Sequence, residues 1–117
     1  MSDAETVFER IINGEIPAQV VYQDERTFAF RDVNPQAEVH VLVVPRVRYR
    51  NLAELAEADG GLLADVVKAC RRVAEIEGIA ESGYRVVFNT DGDAGQTVFH
   101  VHAHVLGGEP LGSFGRS

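Results

Sequence analysis

Apolar residues recur at helical spacing in two places along this chain and at strand spacing in five. Val7, Phe8, Ile11 and Ile12 repeat at three and four residues, which predicts a short helix over 6–13 with Gly14 as its stop. Past Pro17, two short alternating runs, Val20–Gln23 and Thr27–Arg31, flank Asp24-Glu25-Arg26 and read as a hairpin. Asp32–Gln36 holds an Asn-Pro pair and reads as a turn. His40–Val44 is a Val-rich strand closed by Pro45, with His40, Leu42 and Val44 on one face. Leu52–Ala56 reads as a helical turn. A long helix follows from an N-cap at Asp59, with Leu63, Val66, Val67, Cys70, Val73 and Ala74 as its apolar stripe and Gly78 just past its end. Tyr84–Asn89 is a fourth strand and 90–96 a loop rich in Gly, Asp and Thr. These elements predict one α+β domain over residues 1–117, built on a mostly antiparallel five-stranded sheet.

The fifth strand changes the picture. His100, His102 and His104 alternate with Val101, Ala103 and Val105 directly after Gly95-Gln96-Thr97. In a strand, residues two apart share a face, so the spacing predicts three imidazoles in a row with the apolar residues behind them. The remaining histidine, His40, falls in the Val-rich strand.

Composition narrows what such a row is for. A net charge of −7 argues against a nucleic-acid or anionic-membrane surface. No apolar run reaches membrane-spanning length, and Met1–Thr6 lacks the pattern of a signal peptide. A single cysteine, Cys70, excludes an intrachain disulfide and points to a reducing, cytoplasmic setting. On the helix stripe, Cys70 reads as a core thiol.

Three chemistries are open to the row. Histidines could fill a solvated sheet face. They could hold a metal ion, although His100 and His104 lie about 13 Å apart along a strand at about 3.3 Å per residue, too far to share one. Or one imidazole could attack phosphorus: a neutral imidazole is nucleophilic near neutral pH, and its neighbours with a Gly-rich turn supply donors for phosphoryl oxygens.

His100-Val-His102-Ala-His104-Val-Leu matches the His-φ-His-φ-His-φ-φ signature of the histidine triad superfamily. Phe8–Pro17, Phe28–Gln36, His40–Pro45, Asn89 and Val105-Leu-Gly-Gly108 extend the likeness to nearly the whole chain. They resemble the histidine triad nucleotide-binding (Hint) branch more than the diadenosine-polyphosphate hydrolases. The resemblance implies a HIT-like fold, a homodimer with one continuous sheet, a purine nucleoside monophosphate or phosphoramidate ligand, and hydrolysis of the P–N bond with no cofactor. Alternatives within the resemblance are a nucleotide-binding adaptor with vestigial hydrolysis and a dinucleoside polyphosphate hydrolase.

By position, the resemblance makes His102 the nucleophile, His104 a phosphate donor, His40 a proton partner behind the row and His100 its buttress. Asn89, Gly95, Gln96 and the Thr97 hydroxyl would surround phosphate and leaving group. Asp32 would take the ribose hydroxyls, against a turn-capping role that sequence alone favours. Val7, Phe8, Ile11, Phe30, Val33 and Leu42 would clamp the base. Three departures stand out. Thr6–Glu9 has neither Cys nor His, so no zinc site is expected there. Arg48 stands where relatives often have histidine. The tail carries Phe114 where relatives often have tryptophan.

Overall fold

The computed structural model describes residues 4–115. Its elements are α1 (Val7–Ile12), β1 (Val20–Gln23), β2 (Thr27–Arg31), β3 (Val39–Pro45), α2 (Leu52–Ala58), α3 (Gly60–Ile76), β4 (Tyr84–Phe88) and β5 (Ala103–Gly107). The five strands form one antiparallel sheet in the order β1-β2-β3-β5-β4. The ends of the sequence fall partly outside the described residues: Met1–Asp3 of the expected leaderless start, and Arg116 and Ser117 of the tail.

Local chemistry sets the helix ends. Thr6 caps α1 in a capping box, its hydroxyl accepting from Glu9 N–H while the Glu9 carboxylate accepts from Thr6 N–H. Asn51 caps α2 and Asp59 caps α3. The stretch read as a single turn, Leu52–Ala56, is a two-turn helix ending where the Asp59 cap begins.

Register divides the sheet into two faces. Val43 opposes both Ala29 and Ala103, and Val41 opposes Val105; these point to one side and pack under α3. Leu42 opposes both Phe30 and His104, and Val44 opposes Phe28. Those point to the other side, where Phe28, Phe30, Leu42 and Val44 form a second cluster with Phe8 of α1. One side of the sheet is thus a mainly aliphatic core under α3, and the other carries the Phe8–Phe28–Phe30 cluster and the histidine side chains.

Two expectations are corrected. The buried stripe of α3 is Leu62, Val66, Ala69, Cys70, Val73 and Ala74, while Val67 is 50% exposed. The helix presents the small side chain of Ala69 to the sheet and turns bulkier Val67 outward. The histidine strand is also shorter than its pattern: β5 starts at Ala103, and residues 100–102 precede it. Pro45 accounts for this, because it has no N–H with which to extend the β3–β5 ladder. Val101 N–H donates to Tyr49 O instead, at 2.7 Å.

Candidate active site

The alternation survives the loss of the strand. Val101, Ala103 and Val105 lie in the aliphatic core, and the three rings stand on the opposite side, with Phe8 against His100 and His102. Phe8 meets His102 edge-on with ring centroids 4.8 Å apart and His100 at 6.0 Å, and the His102 and His104 rings are 5.0 Å apart.

Hydrogen-bond partners fix where each proton sits. A carbonyl oxygen only accepts, and a backbone N–H only donates. His100 is fully buried, and its Nε2 lies 2.7 Å from Pro45 O, so Nε2 carries the proton and donates. Its Nδ1 is a bare lone pair with no partner. His102 Nδ1 lies 2.8 Å from His100 O, so the proton sits on Nδ1 and Nε2 is left with a free lone pair. Gln36 N–H donates to His40 Nδ1 at 2.9 Å, which places the neutral His40 proton on Nε2. That Nε2–H faces His104 Nδ1 at 2.8 Å across the diagonal of the β3–β5 pair. His104 Nδ1 therefore accepts, and its own proton sits on Nε2.

Burial keeps the row uncharged. Desolvation lowers the pKa of His40, His100 and His102, and carries His104 down to about 4, helped by its imidazole neighbours. The Asp32 carboxylate pulls weakly the other way on His40, His102 and His104.

Asp32 caps its turn, the role that sequence alone favours, and keeps its second carboxylate oxygen toward the row. Oδ1 caps its own turn, accepting from Asn34 N–H at 2.8 Å, while Oδ2 faces His40 Nε2 at 3.4 Å. Ligand atoms of Asp32, His40 and His104 lie within 4.8 Å of one another, so a cation could bridge them by displacing the His40–His104 hydrogen bond. The spacing argument against a shared ion considered only the row, and this trio crosses two strands and a turn.

The surrounding residues separate into two sets. Phe8, Phe30 and Leu42 are buried together, with Ile11 half-buried against them. Val7 is exposed, and Val33, 89% exposed on the turn beside Asp32, packs into neither cluster. Asn89 is half-buried at the end of β4. In the loop before the row, Gly95 has φ +83 and its N–H donates to Gly92 O, so that amide is engaged inside the loop. The Gln96 side chain is buried and engaged too: Nε2 donates to Arg50 O and Val98 O, and Oε1 accepts from Asp91 N–H. Thr97 is exposed, and no described residue bonds its hydroxyl or its N–H.

Arg48 acts as a staple, its guanidinium donating to Phe99 O, Ala4 O and the Glu9 carboxylate. It ties α1 to the row, a role no spacing announces. Cys70 is buried in the aliphatic core with its thiol pushed up to about 12 by burial.

The sequence profile of the HIT domain matches residues 13–111. The chain belongs to the HIT family. Among HIT relatives, the purine nucleoside phosphoramidase of Escherichia coli (strain K12) is 44% identical over 108 residues, covering 92% of this chain and 91% of its own length. The 14 kDa zinc-binding protein of Zea mays is 45% identical over 114 residues, covering 95% and 88%. The HIT family hydrolase structure from Clostridium thermocellum superposes with a TM-score of 0.90 at 46% identity, covering 96% of this chain and 97% of that one. The fold is the HIT fold, and these relatives support the Hint branch.

Proposed function

We propose that the chain is a purine nucleoside phosphoramidase that cleaves the P–N bond of nucleoside 5′-phosphoramidates through a covalent nucleotidyl-His102. The observation that carries this is the His102 tautomer. With Nδ1–H donated to His100 O, the Nε2 lone pair is free, and burial keeps it unprotonated at neutral pH. The 44% identity to the Escherichia coli purine nucleoside phosphoramidase supports the substrate class.

In the first step, His102 Nε2 forms a bond to phosphorus as the P–N bond to the amine breaks. The amine leaves with that electron pair and takes up a proton from solvent, on the side where the Thr97 hydroxyl is exposed. The imidazole gains positive charge, and the His100 carbonyl receives its Nδ1–H and stabilises it. His104 Nε2–H, with its partner nitrogen engaged by His40, donates to a non-bridging oxygen as charge builds there. In the second step, water adds to phosphorus, giving up a proton to solvent, and the P–Nε2 bond breaks, returning the lone pair to His102 and releasing the nucleoside monophosphate. Splitting one displacement into two is the advantage of a covalent route.

In this reading Asp32 Oδ2 accepts from the ribose hydroxyls, and Phe8, Phe30, Ile11 and Leu42 form an apolar wall for the base. A homodimer is part of this reading. β4 is a sheet edge, with exposed Tyr84 and Val86 and with Phe114 lying against Arg85, so its open ladder suits pairing with a second copy. Mass spectrometry of protein acid-quenched during turnover tests the covalent step. The expected result is a nucleotidyl adduct on His102 that is absent in His102→Ala; near-normal turnover by that variant refutes it.

A further inference from the structure

Asp91 has φ +65 and ψ −169, and no other non-glycine among the described residues has a positive φ. Glycine occupies this region freely, and a residue with a side chain stays there only when its surroundings hold it. A glycine would satisfy the backbone with less strain, so what aspartate contributes is its carboxylate.

That carboxylate has a definite partner. Asn51 Nδ2 donates to Asp91 Oδ1 at 3.0 Å, and Asn51 is buried. The same Asn51 amide caps α2 through its oxygen, which accepts from Glu54 N–H at 2.9 Å. Within the loop, Asp91 and Gln96 are doubly joined: Asp91 N–H donates to Gln96 Oε1 at 2.8 Å, and Gln96 N–H donates to Asp91 O at 3.1 Å. Gln96 Nε2 reaches Arg50 O at 2.8 Å. The 91–96 loop is thus a closed ring fixed at two points to residues 50 and 51. Thr97, with its unengaged donors, is the next residue.

We propose that Asp91 is a positioning residue for this reaction: its carboxylate straps the loop that carries Thr97 to the start of α2, holding in place the Thr97 donors that the functional reading assigns to the phosphate and leaving group. The inference rests on the functional reading above. Asp91→Gly removes the strap and relieves the backbone, so the variant folds, with Tm within about 4 °C of the parent because the two effects oppose each other. Amide hydrogen exchange over 91–97 is expected to quicken. Because misplacing a reacting group by about 1 Å costs about a hundredfold, kcat on adenosine 5′-phosphoramidate is expected to fall between about tenfold and a hundredfold, with KM changing less. Asp91→Asn keeps an oxygen for Asn51 Nδ2 and is expected to restore most of kcat. Parent-like kcat in Asp91→Gly, or equal loss in both variants, overturns the proposal. A parent chain inactive on phosphoramidates would sink the functional reading instead, and unchanged exchange in Asp91→Gly would then still overturn the strap.

Discussion

Phe8 is the side chain whose removal most directly tests how the row is kept neutral. It packs edge-on against His102 at 4.8 Å, against Phe30 at 5.5 Å and against His100 at 6.0 Å. Phe8→Leu keeps most of the volume and loses the ring. Edge-to-face aromatic pairs contribute about 0.5–1.5 kcal/mol each beyond their area, and a volume-conserving core exchange costs up to about 1.5 kcal/mol. Counting the Phe8–Phe30 pair and the exchange cost alone, the expected loss is about 0.5–3 kcal/mol, or about 2–12 °C in Tm for a domain of this size.

The informative effect is on pH dependence. Burial is the main cause of the low His102 pKa, and Phe8 covers that ring. If water reaches His102 in the variant, its pKa climbs toward the ordinary value of about 6.5. At full relief only about a quarter of the nucleophile is neutral at pH 6.0. The ratio of kcat/KM at pH 6.0 to that at pH 8.0 should then fall by up to about fourfold relative to the parent. Comparing ratios cancels any change in rate that is the same at both pH values. A variant that loses stability as expected but keeps the parent ratio refutes the claim that Phe8 keeps His102 dry.

Two further predictions follow from the same site. All four imidazoles have lowered pKa values in the folded chain, while the unfolded chain protonates them near 6.5. Between pH 6.5 and about 4, the value for His104, the unfolded state therefore binds more protons. Stability is full above pH 6.5 and should decline as pH falls through that window. Urea midpoints at pH 7.5 and 5.0 check this, and a midpoint equal or higher at pH 5.0 contradicts it. Separately, the proposed route uses no metal, so activity should persist in excess chelator; loss of activity there would overturn it. Added Zn²⁺ should inhibit by bridging Asp32, His40 and His104, and Asp32→Asn should weaken that inhibition.

What the sequence made legible, and what it did not, follows from the range of each signal. The hairpin, the Val-rich strand and both α1 and α3 are set by local periodicity, and their ends by caps one to three residues away. The sharing of one face by the histidines is equally local. The stripe of α3 was misread at Val67 and Ala69 because hydropathy favours valine, whereas close packing on the sheet favours the smaller residue. Partners distant in sequence left no trace in spacing. His40 and His104 meet across 64 residues, Asn51 and Asp91 across 40, and Arg48 and Phe99 across 51. The left-handed conformation of Asp91 was hidden as well, since the neighbouring Gly92 is where a turn is expected to place it.

The shortened fifth strand bears most on chemistry. In an unbroken ladder, His100 O would accept from a backbone N–H of a neighbouring strand. Pro45 ends the ladder at Val43 and Ala103, and its carbonyl, freed from strand pairing at that point, accepts from His100 Nε2. His100 O is left to accept from the ring two residues on, and that bond sets the His102 proton on Nδ1. The tautomer that makes His102 a nucleophile in the proposed reaction is thus linked to a proline 57 positions earlier, through the buried His100. In that reaction His100 is a template for its neighbour, its buried ring tied to Pro45 O and its carbonyl directing the His102 proton.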